Sequence, residues 1–365
     1  MERSVSPFGG LRLLFAGSPA IALPSLRMVA GGAKAGRWCL AGILTNPDKP
    51  KGRGSKTVPT DVGSYASLLA EEFAALGLPA PAVLKPETLK TEAREAVSAL
   101  QPDLLVCFAY GRIFGPRFLA LFPLGGINVH PSLLPKYRGA SPIQEAILRR
   151  EARTGISIQR LAAEMDTGNI LAQETIPLIG TETAASLSET AAERGAEVLQ
   201  SVLERLLKAA GTAAPPASGP ADKLAALLKV LEGTPQQGEP SYCTVIEKSS
   251  GVIDWNRSAP EIDTQIRAYN PWPLARTGHN GQILNILKAA PYSAGVSGPP
   301  SAGGPGSNSP GQVLGIDKKS GILIQTGNGI LAVSMLQYQT KKALHWQAFI
   351  NGARDFTGSR LSGGF

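Results

Sequence analysis

The sequence predicts an α/β fold built on a parallel sheet, followed by a small β-barrel. In the first half of the chain, short apolar runs alternate with helical stretches, which is typical of a parallel sheet covered by helices on both faces. After Tyr242 the pattern changes to closely spaced apolar runs separated by Gly, Asn or Lys-Ser turns, which favours a small barrel. The length of 365 residues is about 2.4 times the usual ~150-residue domain, so we expect two domains.

The elements of the first half follow one another as strand and helix. The predicted strands are residues 11–15, 40–44, 83–84, 103–108 and 127–130. The predicted helices are about residues 20–30, 65–76, 91–100 and 142–150. Because ligands of such sheets bind beyond the carboxyl ends of the strands, we expect residues 16–18, 109–111 and 128–130 to lie near that edge.

The middle of the chain contains the predicted boundary between the domains. A helical stretch at 184–207 precedes a tract of Ala, Gly and Pro, 208–220, which has too few large apolar side chains to order itself. A second helical piece at 221–231 leads into 232–240, the best candidate linker. The predicted organisation is an N-terminal extension (1–10), a first domain (11–207), a linker with an insertion (208–241) and a second domain (242–365).

The second domain is predicted to consist mainly of strands. Its short apolar runs are residues 251–255, 282–287, 312–316, 321–326 and 329–333. A tract rich in Gly, Ser and Pro, 293–311, interrupts these runs and predicts a mobile loop.

Composition excludes several classes of protein. Apolar residues make up 43% and charged residues 18% of the chain, which is too apolar for a wholly disordered protein. There is no apolar run of the ~18 residues that a membrane helix needs, and the first ten residues lack the apolar region of a secretory signal, so we expect a cytoplasmic protein. Cys39, Cys107 and Cys243 are far apart, so we expect small buried residues rather than disulfides or a zinc site.

The net charge of +8 is unevenly distributed. Residues 1–150 contain 18 basic and 10 acidic side chains, residues 151–240 contain 7 and 12, and residues 241–365 contain 11 and 6. Two basic regions therefore flank an acidic one, which favours a polyanionic partner that contacts both. The alternative is ordinary solubilising charge.

Three polar residues form the candidate catalytic group. Asn128 and His130 are two positions apart, so in an extended segment their side chains point to the same side of the sheet. An amide that donates to an oxyanion and an imidazole that stabilises it or moves protons suit acyl-type chemistry. Asp166 lies in a polar turn between two apolar runs and is placed to approach His130. Each has a structural alternative: a strand-end turn residue, a buried histidine and a turn-former before Gly168.

Other catalytic schemes find little support in the sequence. There is no GxSxG nucleophile elbow, no Walker A sequence and no GxGxxG after the first strand. His279 and His345 have no neighbouring Cys or acidic ligands, so we expect both to be surface or core residues.

Several segments match the motifs of one known family. They are Leu14-Phe-Ala-Gly-Ser-Pro19, Thr45-Asn-Pro-Asp-Lys-Pro-Lys-Gly-Arg-Gly54, Asn128-Val-His130, Ser132-Leu-Leu-Pro135, Asp166-Thr-Gly168, Ile253-Asp-Trp255 and Asn270-Pro-Trp-Pro273. With them the sequence resembles the methionyl-tRNA formyltransferase family over nearly the whole chain from Leu11. It departs from the family at Pro131, where many relatives carry Gly or another small residue, and at two segments that look like insertions, 208–229 and 293–311.

The resemblance implies a fold and an activity. The fold is a Rossmann-like formyltransferase domain followed by an OB-like domain that helps to bind tRNA. The activity is transfer of a formyl group from 10-formyltetrahydrofolate to the α-amine of methionyl initiator tRNA, for translation initiation. No metal is expected, since the formyl group is already activated, and we expect a monomer.

The resemblance also implies roles for individual residues. The catalytic residues are Asn128, His130 and Asp166. The folate is expected to contact Ser132, Leu133, Leu134 and Pro135. The acceptor arm of the tRNA is expected to be held by Lys49, Lys51, Arg53 and Lys56, in a loop that is otherwise interpreted as solvated charge.

Two other functions stay open at this point. One is formyl transfer to a small amine, such as a glycinamide ribotide or an amino sugar, which would need neither the basic loop nor the basic second domain. The other is a non-catalytic RNA-binding protein that kept the fold, against which the intact Asn128, His130 and Asp166 argue.

Overall fold

The structure is a computed structural model, and it describes residues 10–50, 57–212, 220–293, 309–353 and 355–363. The chain forms two compact units, of which the first comprises Met1–Gly139, Thr154–Pro177 and Ser188–Tyr242. The second unit comprises Ala140–Arg153, Leu178–Leu187 and Cys243–Phe365. The second unit therefore includes two short pieces from the first half of the sequence, whereas the predicted domains were continuous segments.

The segment 12–232 contains strands and helices that mostly alternate, as predicted for the first half of the chain. Its strands are β1 (Arg12–Gly17), β2 (Cys39–Leu44), β3 (Lys49–Pro50), β4 (Thr57–Val58), β5 (Ala82–Leu84), β6 (Leu104–Phe108), β7 (Gly126–His130), β8 (Arg138–Gly139), β9 (Arg153–Arg160) and β10 (Ile170–Pro177). Its helices are α1 (Leu23–Lys34), α2 (Asp61–Ala75), α3 (Thr91–Ala99), α4 (Pro116–Leu119), α5 (Pro142–Leu148), α6 (Ala184–Thr212) and α7 (Pro220–Glu232).

The first unit is built on a seven-stranded sheet with the order β10-β9-β7-β6-β1-β2-β5. The five strands from β5 to β7 are parallel, and β9 runs antiparallel to β7. The central strands β1 and β6 are buried along almost their whole length, as expected for a sheet that is covered on both faces. The predicted parallel α/β fold is therefore confirmed.

The register of the sheet brings the carboxyl ends of three strands together. Gly17 at the end of β1 lies beside Phe108 at the end of β6, and Phe108 lies beside Val129 in β7. The residues that follow these strands therefore meet at one edge, as the sequence predicts.

The segment expected to contain an insertion and a linker is described in part, without residues 213–219. Helix α6 continues past residue 207 to Thr212, and α7 starts at Pro220. Beyond α7, Ile170 of β10 and Thr234 exchange two main-chain hydrogen bonds of 2.8 Å. These two bonds satisfy the main-chain N–H and C=O groups of both residues. Thr234 is therefore fixed to the edge of β10 in the first unit.

The second unit contains β11 (Tyr242–Cys243, which begins in the first unit), α8 (Ala259–Ala268), β12 (Ala275–His279), β13 (Gln282–Pro291), β14 (Val313–Asp317), β15 (Gly321–Gln325), β16 (Ile330–Tyr338), β17 (Leu344–His345) and α9 (Trp346–Gly352). Strands β12 to β17 form a six-stranded antiparallel sheet, in the order β12-β13-β16-β15-β14 with β17 beside β16. The prediction of a second domain that consists mainly of strands is confirmed, and its closure into an OB-like barrel stays a prediction.

One expectation for the second domain turns out differently. Residues 251–255 were predicted to form a strand, but they follow a 3₁₀ turn, Lys248–Gly251, and only Val252 forms a bridge, to Arg276. Ile253 and Trp255 are apolar because they pack into the core. The predicted mobile loop, 293–311, lies mostly outside the described residues.

None of the helices in the described ranges combines the length and the apolar character needed to cross a bilayer.

Candidate active site

His130 is held at the carboxyl end of β7, with only 4% of its surface exposed. Its Nε2 lies 2.9 Å from the main-chain oxygen of Tyr137, and its Nδ1 lies 3.6 Å from Oδ2 of Asp166. Because a main-chain oxygen can only accept, Nε2 is the donor in its contact with Tyr137, and Nδ1 faces the carboxylate of Asp166. Because 3.6 Å exceeds the length of a hydrogen bond, Nδ1 makes no hydrogen bond to Asp166 in this structure.

Asp166 is fixed from two directions. Its Oδ2 accepts a hydrogen bond of 2.9 Å from the main-chain N–H of Gly139, and its Oδ1 accepts one of 2.7 Å from the Gln159 side chain. The backbone of Asp166 is left-handed, with φ of 56°, a conformation that Asp and Asn tolerate better than most residues. The predicted approach of Asp166 to His130 is thus present in the structure.

The turn after Asp166 requires a glycine at position 168 because the main chain of Arg160 lies very close to it. A Cβ atom at this position would lie 1.9 Å from the main-chain oxygen of Arg160. Only a residue without a side chain lets the Asp-Thr-Gly turn pack this closely on the end of β9.

Asn128 is half-buried in the middle of β7. It lies in register with Cys107 of β6 on one side and with Gln159 of β9 on the other. Its side-chain amide makes no hydrogen bond with any described residue. An amide with no hydrogen-bond partner among the described residues, two positions from His130, is available to donate to a substrate oxygen.

Gln159 is a site residue that the sequence analysis missed. It is 1% exposed, and it connects Asp166 to the strand that pairs with Asn128. The signal was present in the sequence, since the buried polar residues Ser157 and Gln159 alternate with Ile156 and Ile158 in β9. Such alternation gives the strand one polar face.

Polar groups in the segment from Ser132 to Pro135 form hydrogen bonds to other groups of the protein. Ser132 Oγ donates to the main-chain oxygen of Lys136 over 2.6 Å, and the main-chain N–H of Leu134 donates to Ser157 Oγ over 3.1 Å. The main-chain oxygen of Leu134 accepts from the Gln173 side chain over 2.9 Å. The observed contacts hold the turn after His130, and the expected folate contacts of Ser132, Leu133, Leu134 and Pro135 stay a prediction.

The carbonyl that faces His130 is held from a remote part of the chain. Tyr137 is buried and left-handed, with φ of 59°, a backbone conformation that costs a residue of this type about 1–2 kcal/mol. Its main-chain N–H donates to Ser241 Oγ over 2.9 Å, and the N–H of Arg138 donates to the main-chain oxygen of Ser241. No local sequence signal indicates this contact, which joins residues 104 positions apart.

The basic loop, residues 46–60, starts and ends at the same sheet edge. Asn46 donates through its side chain to Ser18 Oγ and to the main-chain oxygen of Tyr110, over 2.9 and 2.8 Å. At the other end, Thr60 caps α2, and its hydroxyl lies 2.6 Å from that of Thr45. Two short strands, β3 and β4, pair antiparallel and close the base of the loop.

The four cations of the basic loop are described only in part. Lys49 is exposed in β3. Lys51, Arg53 and Lys56 lie outside the described residues, so their expected contact with tRNA stays a prediction.

Cys107 forms part of the buried wall behind the site. Burial is the main reason that the pKa of its thiol is raised to about 12. A main-chain hydrogen bond to Tyr110 lowers this pKa, and the nearby charge of Asp166 raises it. The thiol is therefore neutral and unreactive at ordinary pH.

The site combines the half-buried amide of Asn128 with the buried imidazole of His130 and the carboxylate of Asp166. This combination can stabilise negative charge on a carbonyl oxygen and take a proton from an attacking amine. Among the residues that the structure describes, no group of three or more His, Cys, Asp or Glu side chains is placed to hold a metal ion.

Two family models match the chain. One, described as formyl transferase, matches residues 27–203, and the other, described as formyl transferase, C-terminal domain, matches residues 245–354. Curated relatives include the methionyl-tRNA formyltransferase of Treponema denticola, 41% identical over 357 residues, which are 97% of this chain and 99% of the relative. That of Borreliella burgdorferi is 33% identical over 358 residues, or 96% of this chain and 99% of the relative.

Solved structures of the same fold belong to formyltransferases and to a larger folate-binding protein. The N-formyltransferase from Helicobacter canadensis, in complex with folinic acid and dTDP-3-aminofucose, has a TM-score of 0.56 at 18% identity, over 90% of this chain and 99% of that one. HypX from Aquifex aeolicus, in complex with tetrahydrofolic acid, has a TM-score of 0.56 at 15% identity, over 95% of this chain and 48% of that one. At these identities the two structures support the fold.

Proposed function

This chain belongs to the methionyl-tRNA formyltransferase family, and we propose that it transfers a formyl group from 10-formyltetrahydrofolate to the α-amine of methionyl initiator tRNA. The folate supplies the activated formyl group, and the amine of the methionyl group attacks its carbon. A bond forms from the amine nitrogen to this carbon, and the bond from the carbon to the folate nitrogen breaks. The proton that the amine loses is passed to that nitrogen, so tetrahydrofolate is released. The enzyme therefore acts in translation initiation.

Asn128 and His130 stabilise the charge that develops on the formyl oxygen. The amide of Asn128, which has no partner among the described residues, donates to this oxygen. His130 keeps its Nε2 proton on the carbonyl of Tyr137, which leaves Nδ1 to donate to the same oxygen. One positioned donor of this kind typically contributes about 10²–10³ in rate.

Asp166 orients His130 and accepts the proton that the attacking amine loses, directly or through a water molecule. Its hydrogen bonds to Gly139 and Gln159 keep the carboxylate beside Nδ1 before substrate binds. A base that is already in place lowers the entropic cost of the reaction.

The basic loop binds the acceptor arm of the tRNA. Four cations, Lys49, Lys51, Arg53 and Lys56, lie within eight residues of a polar, glycine-containing segment. Hydrogen bonds anchor both ends of the loop at the sheet edge that contains the catalytic residues, so the loop begins and ends beside them. The folate lies against the turn formed by Ser132, Leu133, Leu134 and Pro135.

The proposal includes the assembly and location of the enzyme. We expect a monomer that acts in the cytoplasm. Size-exclusion chromatography with light scattering tests the first point.

The observation that carries the proposal is the His130–Asp166 pair, two positions along the strand from the amide of Asn128, which has no hydrogen-bond partner in the part of the chain that the structure describes. The test is formyl transfer from 10-formyltetrahydrofolate to methionyl initiator tRNA by the purified protein. We expect formylmethionyl-tRNA, a loss of most turnover in His130→Ala, and full turnover in the control His345→Ala, whose residue is exposed in β17.

Two results would overturn the proposal. Formylation of a small amine, such as an amino sugar nucleotide, with no product from methionyl-tRNA would assign a different acceptor. Tight tRNA binding without any formyl transfer would indicate a non-catalytic RNA-binding protein.

A further inference from the structure

Tyr242 is an exposed aromatic residue that the mechanism above does not use. Its side chain is 66% exposed, and the Arg138 guanidinium lies over it, 5.9 Å from the centre of the ring. Arg138 Nη1 also lies 3.3 Å from the Tyr242 hydroxyl. An exposed tyrosine held by an arginine presents a flat, rigid surface with a positive charge at its border, which suits a nucleobase and its phosphate.

This pair is connected directly to the catalytic carboxylate. Arg138 donates through Nε and Nη2 to the side-chain oxygen of Gln236, over 3.1 and 2.7 Å. Gln236 in turn donates to the main-chain oxygens of Asp166 and Gly168, both over 2.8 Å. Arg138 also precedes Gly139, whose N–H holds Asp166 Oδ2. Arg138 and Gln236 thus connect Tyr242 by hydrogen bonds to the turn that contains Asp166.

We propose that Tyr242 and Arg138 form the subsite for the 3′-terminal nucleoside of the aminoacyl-tRNA, an inference that rests on the proposed function. The methionyl group is joined to the terminal ribose by one ester, so only a few bonds separate the amine from the nucleoside. When the amine lies beside Asp166, the terminal base must lie close to the rim of the site. Tyr242 stacks on this base, and Arg138 holds the ring and pairs with the terminal phosphate.

The base of the terminal nucleotide provides a specific test. Initial rates are measured with methionyl initiator tRNA that carries either the normal 3′-terminal adenosine or an abasic terminal nucleotide. The enzymes are the wild type, Tyr242→Ala and Tyr242→Phe. Tyr65→Ala is the matched control, because Tyr65 also carries an arginine, Arg27, 5.3 Å from its ring centre, on helices α2 and α1.

The proposal makes a distinct prediction for each variant. With normal tRNA, Tyr242→Ala should raise KM about 5- to 100-fold with little change in kcat, the range that stacking on one base supplies. Tyr242→Phe keeps the ring, so its KM should stay within about 3-fold of the wild type. With the abasic tRNA, the wild type and Tyr242→Ala should have the same KM. Tyr65→Ala should behave as the wild type with both substrates.

Two results would overturn the subsite. One is an unchanged KM for Tyr242→Ala with normal tRNA, and the other is an equal increase with normal and abasic tRNA, which would mean a structural effect. A wild-type enzyme that formylates methionyl-tRNA while either result holds leaves the proposed function intact. A wild-type enzyme that formylates neither tRNA contradicts the proposed function itself.

Discussion

The contrast between Asp166→Asn and Asp166→Ala separates the charge of this residue from its hydrogen bonds. The carboxylate accepts from Gly139 and from Gln159, and both donors are held inside the protein. An asparagine keeps one oxygen for the N–H of Gly139. Its amide nitrogen can donate to Gln159 Oε1 once the Gln159 amide rotates, because that oxygen has no partner among the described residues. The rotated amide leaves its nitrogen unpaired instead of its oxygen, so the number of unsatisfied groups stays the same.

The expected energies differ because alanine satisfies neither donor. A hydrogen bond to a charged group contributes about 1.5–3 kcal/mol, and an unsatisfied buried donor costs about 1–3 kcal/mol. Alanine also disfavours the left-handed backbone of this position, which asparagine tolerates. We expect Asp166→Ala to lower the free energy of unfolding by about 2–5 kcal/mol, and Asp166→Asn by no more than about 1 kcal/mol.

Activity should not follow stability in this pair of variants. Both remove the carboxylate that faces His130 Nδ1, so both should lose the proton acceptor and about 10²–10⁴ in kcat. The measurements are urea unfolding followed by circular dichroism, and formyl transfer at saturating tRNA and folate. The reasoning is refuted if the two variants are equally destabilised, or if Asp166→Asn keeps the wild-type kcat.

Four further predictions concern separate parts of the molecule. Asn128→Ala should lower kcat about 10²–10³ at saturating substrates without loss of tRNA affinity, and an unchanged kcat would remove Asn128 from the oxyanion site. Replacing the four cations of the basic loop with Ser should reduce the slope of log K against log salt for tRNA binding by about 1.4–1.8 if two of them neutralise phosphates, with folate affinity unchanged; an unchanged slope would leave the loop as solvated charge. Cys107, whose buried thiol has a raised pKa, should resist iodoacetamide at pH 8 in the folded protein and react in urea, as mass spectrometry of its peptide can test. Burial lowers the pKa of His279 below its usual 6.5, so the unfolded chain takes up a proton that the folded protein does not; the free energy of unfolding should fall as the pH drops below about 6.5, and His279→Phe should reduce this fall in melts between pH 7.5 and 5.5.

The parts of the fold that the sequence predicts are those with a strong local signal. Strands such as β1 and β6 are continuous apolar runs bounded by turns, so their existence follows from the residues themselves. Helix α8 also had a signal, the Ser258–Glu261 capping box, which the sequence analysis did not use. The 251–255 segment shows the opposite case. Its apolar side chains gave the pattern of a strand because they are buried in the core, although the segment forms only an isolated bridge and no strand.

The candidate site could be predicted only in its central members. Asn128 and His130 follow from strand periodicity, and Asp166 follows from a polar turn between two apolar runs. Tyr137 and Ser241 could not be found this way, because Tyr137 acts through its carbonyl and Ser241 approaches it from 104 residues away. Main-chain groups and distant contacts leave no mark on local residue type, so only the folded structure identifies them.

The hold of Ser241 on Tyr137 has a consequence for how the enzyme matures on the ribosome. The strands around His130 leave the exit tunnel well before Ser241 has been translated, at about 5–20 residues per second. During those seconds the nascent sheet lacks the hydrogen bond from Tyr137 to Ser241. This hydrogen bond holds the left-handed backbone of Tyr137, whose carbonyl contacts His130. A chain that stops before Ser241 therefore contains Asn128, His130 and Asp166 but lacks the contact that holds the main chain of Tyr137.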